Sequence, residues 1–161
     1  MLSAATIPYD PEEQDFTLQD LREHLAAHLA VECTLVEWRG FSLTVPQVRV
    51  ATAVPLTIQI EDDPDYVPAE LADLADRAVG LLSPEWVAAL RRCAAKLEVM
   101  EADLADPEPD EEGTLHLVAL IAESRLDPGH PDVEAVLVEI ARFVGSLAYD
   151  NVNDEWLVPE S

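Results

Sequence analysis

Apolar residues recur along this chain with a period that changes from place to place, and the changes mark its elements. Ala5, Ile7 and Tyr9 alternate with their neighbours and predict a short strand that stops at Asp10-Pro11. Thr17 to Asp20 has the spacing of a capping box. Leu18, Leu21, Leu25 and Leu29 then fall on one helical face, so a helix is predicted over 17–30. A β region follows. Val31 to Trp38 partly alternates, Arg39-Gly40 supplies a turn, and Phe41, Leu43 and Val45 alternate cleanly, which reads as a hairpin. The apolar parity then flips across Pro46-Gln47, from Phe41/Leu43/Val45 to Val48/Val50. A turn or bulge is expected there, because a one-residue slip would otherwise turn side chains to the wrong face. Leu56, Ile58 and Ile60 form the cleanest strand; Thr52 to Pro55 reads equally as a turn or a kink.

Helical periodicity resumes after the acidic run Glu61 to Asp65. A helix is predicted at about 67–79, with Pro68 in its first turn and Gly80 beyond its end. Ser83-Pro84 restarts a third, to about residue 94, with a capping serine followed by proline at the first helical position. Leu97 and Val99 suggest a short strand, and Glu101 to Glu112 an acidic, proline-containing loop. Residues 112–125, apolar nearly all round at Leu115, Leu117, Val118, Leu120 and Ile121, predict a helix covered on most sides. A fifth helix is expected over 131–144, with Val133, Val136, Leu137, Ile140 and Val144 on one side and Glu139 and Arg142 on the other. Gly145 ends it and Ser146 to Tyr149 reads as a last strand. The sum is an α+β fold: one domain over residues 1–161, with an antiparallel sheet of about five to six strands and helices packed on one face, in two layers.

Composition changes this picture in one respect. Apolar residues are 49% of the 161, enough for a core, but 33 Asp and Glu face only 9 Lys and Arg, a net charge of −24. Small domains more often carry a net charge of roughly 2 to 8 in magnitude. Lys96 is the sole lysine. Nucleic-acid phosphate and anionic membranes would be repelled, and a basic protein is the complement. Solubility alone would also explain surface acidity. No secretory signal, membrane span or internal repeat is read from the chain, which suggests a cytoplasmic protein, and Cys33 and Cys93 are expected as free thiols.

Candidate chemistry is sparse. His24 and His28 are four apart on a helix, but Leu25 stands where a zinc protease has its glutamate, and both histidines are expected to face solvent, so no metal site is predicted. His116 would share a polar helical strip with Glu112 and Glu123, with no nucleophile beside it; Ser42, Ser83 and Ser124 lack the strand–turn–helix elbow of a catalytic serine. The acidic runs lack the ligand order of a calcium loop, and no glycine-rich phosphate loop occurs. No catalytic residue, cofactor or metal is expected.

The reading that remains is a non-enzymatic protein, monomeric or homodimeric, that binds a basic partner through Glu61, Asp62, Asp63 and Asp65, through Asp103, Asp106, Glu108, Asp110 and Glu111, and through Trp156. Trp86 is expected in the core, and Trp156 has folding back onto the domain as its other reading. An immunity-type inhibitor of a toxin or effector is the first expectation. A secretion chaperone, similar in size, charge and element mix alone, and a DNA-mimic inhibitor of a nucleic-acid enzyme are the alternatives.

Overall fold

The computed structural model describes residues 4–40, 43–52, 55–101, 116–122 and 132–159. In chain order these form β1 (Ala4–Tyr9), α1 (Leu18–Leu29), β2 (Cys33–Gly40), β3 (Leu43–Val50), β4 (Leu56–Glu61), α2 (Val67–Ala78), α3 (Pro84–Arg92), β5 (Ala95–Glu101), β6 (His116–Ala122), α4 (Val133–Phe143), β7 (Ala148–Asp150) and β8 (Glu155–Leu157). The strands make one antiparallel sheet of order β6-β2-β3-β4-β5-β1-β7-β8. Its eight strands exceed the five or six expected, because β6 and the three-residue β8 carry no alternation that distinguishes them in sequence.

Three of the four helices among the described residues begin at a capping side chain, while α2 follows Tyr66 without one. Thr17 Oγ1 accepts from Asp20 N at 3.1 Å while Asp20 returns a carboxylate oxygen to Thr17 N at 2.9 Å, the reciprocal capping box that starts α1. Ser83 caps α3 and Asp132 caps α4. Gly145 adopts a left-handed φ of 64° beyond the end of α4, where a residue with Cβ would be strained.

One sheet face is apolar. Ala5, Ile7, Val48, Val50, Leu56, Ile58, Leu97 and Val99 are buried beneath Leu21 and Leu25 of α1 and Val136, Leu137 and Ile140 of α4. The alternate residues of the central strands are Thr6, Gln47, Thr57, Gln59, Lys96 and Glu98, so the opposite face is polar across the middle of the sheet. At its β7–β8 end that second face is apolar again. There Tyr149 clusters with Val67, Leu71 and Leu74, Leu147 with Ala75, Ala78 and Leu90, and Trp156 packs against both groups, which seats α2 and α3 on that side.

Three expectations are corrected. Residues 116–122 are a strand, paired with β2 from Arg39↔His116 to Thr34↔Ala122, and not part of a helix. An unbroken apolar run of about seven residues satisfies a buried strand as well as a buried helix, and periodicity cannot separate them. The helical strip joining His116 to Glu112 and Glu123 therefore does not form; both glutamates lie outside the described residues. Second, β3 runs unbroken through Pro46-Gln47, with Trp38↔Val45, Glu37↔Pro46 and Val36↔Gln47 in regular register. The parity flip is real but needs no bulge, since Val45 and Val48 lie on opposite faces. Proline is tolerated at 46 because the pairing of β3 with β4 covers Val48 to Val50 alone. The register shift falls instead between Leu35 and Val36, where β2 meets β6. Third, Arg39 and Gly40 are paired inside β2, opposite Thr44 and Leu43, and do not themselves form the turn.

Candidate protein-binding face

Strand direction brings two acidic loops together. β1 and β4 flank β5 on either side and both run antiparallel to it, with Tyr9 opposite Ala95 and Glu61 opposite Lys96. The loops that leave β1 and β4 therefore emerge at the same end of the sheet. Asp62, Asp63 and Asp65 of one and Glu12, Glu13 and Asp15 of the other are exposed. Each loop is ordered by its own aspartate. Asp10 Oδ1 accepts from Glu12 N at 2.9 Å, and Asp63 Oδ1 accepts from Asp65 N at 2.9 Å, the local side-chain to backbone bonds that favour aspartate in turns.

Burial and the crowded charge together register on nearby side chains. Burial, and then the charge of Asp62, push the Tyr9 phenol up to about 12. Burial, then Asp10, push the Cys93 thiol up to about 12 against the opposing pull of Arg92. Exposed Tyr66 is raised by Glu61 first. Tyr9, Asp10, Glu13, Trp86, Arg92 and Cys93 line a small cleft between this rim and α3.

Glu61 belongs elsewhere. It turns onto the polar sheet face, where Lys96 Nζ meets Glu98 Oε1 at 2.6 Å, Glu70 Oε1 at 2.7 Å and Glu61 Oε2 at 3.3 Å. Hydrogen bonds continue from this centre in both directions. Glu98 accepts from Thr6 (3.0 Å), which accepts from Asn151 (3.1 Å); Glu61 accepts from Gln59 (3.2 Å), which accepts from Gln47 (2.8 Å). The lysine side chain is 4% exposed. Burial works against its charge, but the bonds to Glu70 and Glu98 outweigh burial and hold it above the usual lysine range. Three carboxylates share this one ammonium, and burial lifts Glu98 above the ordinary carboxylate range. Glu61 is thus a structural partner of Lys96.

Asp103, Asp106, Glu108, Asp110 and Glu111 lie outside the described residues. Trp156 folds back, half-buried, with its ring 4.7 Å from that of Tyr149, whose hydroxyl donates to Asp154 and whose face is approached by Arg77. Trp86 is half-buried against the α2–α3 core. Cys33 is buried and Cys93 half-buried, both free thiols.

On the far flank of α3, the α2–α3 turn exposes Leu81 (70%) and Val79 (61%) beside an open groove lined by Leu82, Pro84, Val87 and Ala88. Sequence reasoning missed this patch, since Val79 and Leu81 continue a helical apolar pattern. It also missed the Asp10–Asp15 loop, whose importance comes from its position across β5, and the role of Glu139. Assigned above to the polar side of its helix, Glu139 is buried against α1, where it meets His24, itself half-buried and not solvent-facing.

Comparison with known proteins gives no match among protein families, curated proteins or solved structures. Among the described residues no helix is long and apolar enough to cross a membrane.

Proposed function

We propose that this chain is a non-enzymatic acidic binding protein that docks a cationic protein and occludes its working surface, as an immunity-type inhibitor of a toxin or effector does. The observation that carries the reading is where the positive charge goes. Lys96 is consumed by three carboxylates, and Arg77, Arg91 and Arg142 pair with Asp73, Asp76 and Glu139. The loops that carry Asp62, Asp63 and Asp65 and Glu12, Glu13 and Asp15 hold no arginine or lysine of their own, and Arg92 of α3 lines the cleft with Asp10 and Glu13. Partner Lys and Arg would pair with that rim, while apolar contact at Val79 and Leu81 would lengthen the life of the complex.

Electrostatic steering makes the test kinetic. Association of the chain with a captured basic partner is expected to slow at least about tenfold as salt rises from low to several hundred millimolar, while dissociation changes little. The triple change Asp62→Asn, Asp63→Asn, Asp65→Asn is expected to slow association in the same way. An association rate indifferent to both salt and the triple change sinks the reading. Exposed Leu81 and Val79 also favour a second reading, a secretion chaperone holding an apolar client segment. A complex that survives high salt but is lost with Leu81→Ser would select it.

A further inference from the structure

The α1–α4 seam carries a cluster of a different kind. His24 and His28 lie one turn apart on α1, with ring centroids 3.9 Å apart and planes inclined by 23°. From α4, Glu139 reaches Oε1 to within 2.9 Å of His24 Nε2. One nitrogen from each ring and one carboxylate oxygen all lie within 4.8 Å of one another. A single ion with bonds of about 2.0–2.2 Å can touch all three after small side-chain adjustments.

The surroundings hold these groups in place. The Phe143 ring packs 4.8 Å from that of His24. His28 Nδ1 lies 2.9 Å from the His24 carbonyl oxygen, and when that nitrogen donates its proton there, Nε2 keeps a lone pair for a ligand. Arg142 Nη1 donates to Glu139 Oε2 at 2.6 Å, which fixes the carboxylate and leaves Oε1 toward the histidines. Such second bonds are what orient imidazole and carboxylate ligands in metal sites. Glu139 is buried, while His28 stands at the surface, so one side of the cluster is open to water.

We propose that His24, His28 and Glu139 form a three-ligand site for a divalent transition metal of the zinc class, with the fourth position open to solvent. Two imidazoles and one carboxylate suit zinc, cobalt, nickel or copper; calcium and magnesium prefer an all-oxygen shell. The ion would join α1 to α4 across the layer that covers the apolar sheet face. It is independent of the acidic rim and of the partner proposed above.

The test uses the whole chain, stripped of metal by a chelator. Zn(II) is expected to bind one ion per chain and to raise the melting temperature, as any ligand of the native state does. Co(II) is expected to give the visible absorption of a low-symmetry nitrogen–oxygen site, and Ca(II) at equal concentration to give neither effect. His28→Ala, at an exposed position that leaves the core intact, should weaken Zn(II) binding at least about tenfold and remove the thermal shift; Glu139→Gln should do the same. The proposal is overturned if Zn(II) does not bind, or if His28→Ala binds it as tightly as the unaltered chain. It is equally overturned if Ca(II) reproduces the thermal shift, which would assign binding to the general carboxylate surface.

Discussion

Tyr9 joins the apolar core to the acidic rim, because its ring is buried beside Phe16 while its hydroxyl feels Asp62. With its phenol pushed up to about 12, the folded chain keeps a proton that the unfolded chain, near 10, releases. The stabilisation is fully present below about pH 10 and is lost as pH rises toward about 12. The alkaline loss from this group is on the order of 2 kcal/mol. Urea midpoints measured from pH 8 upward are expected to begin falling near pH 9, where the Cys93 thiol, also pushed up to about 12, starts to contribute, and to fall more steeply above about pH 10. Tyr9→Phe should remove that added steepness and leave the Cys93 part. An identical fall in the Phe variant would move the cause to Cys93, Tyr66, Tyr149 or Lys96. The apolar character of Tyr9 was legible from its place in the β1 alternation. Its electrostatic setting was not, since Asp62 is distant in sequence and arrives beside it through the pairing of β4 and β1 with β5.

At the level of elements, the polar face of the sheet depends on Lys96. β5 presents it between Glu61 of β4 and Glu98 of its own strand, and α2 adds Glu70. Removing one partner from a buried charged cluster leaves uncompensated charge, and such changes cost about 3–5 kcal/mol. Lys96→Met is expected to lower stability by about 3 kcal/mol, at the low end because Glu70 is half-exposed and can turn to water. Chemical denaturation at neutral pH measures this, and adding Glu98→Gln should recover part of the loss. A Lys96→Met chain within about 0.5 kcal/mol of the original would mean that the carboxylates find water unaided. In sequence, the alternation of β4 and β5 already separates Gln59, Glu61, Lys96 and Glu98 from the apolar positions. That they form one network follows only from register, which sets Glu61 opposite Lys96 and Gln59 opposite Glu98.

Across the whole molecule, a net charge of −24 opposes its own compaction. Raising sodium chloride from about 0.01 M to 0.15 M shortens the screening length from roughly 30 Å to 8 Å. The melting temperature, measured with a chelator present, is expected to rise by about 5 °C, equivalent to one or two kcal/mol for a chain of this size. A flat response would show that the surface charges are already far enough apart to ignore one another.

Helix starts and the strands of the apolar face were determined by the sequence itself, because capping residues and period-two alternation act within a few residues of where they stand. Thr17, Ser83 and the Leu56–Ile60 run needed no distant partner to be read. Tertiary structure alone decided three things: that residues 116–122 pair with β2, that Lys96 gathers Glu61, Glu70 and Glu98, and that Glu139 meets His24 from 115 positions away. Strand register and helix docking couple residues that no local period connects, so the chemistry of this chain lies in contacts made by the folded molecule.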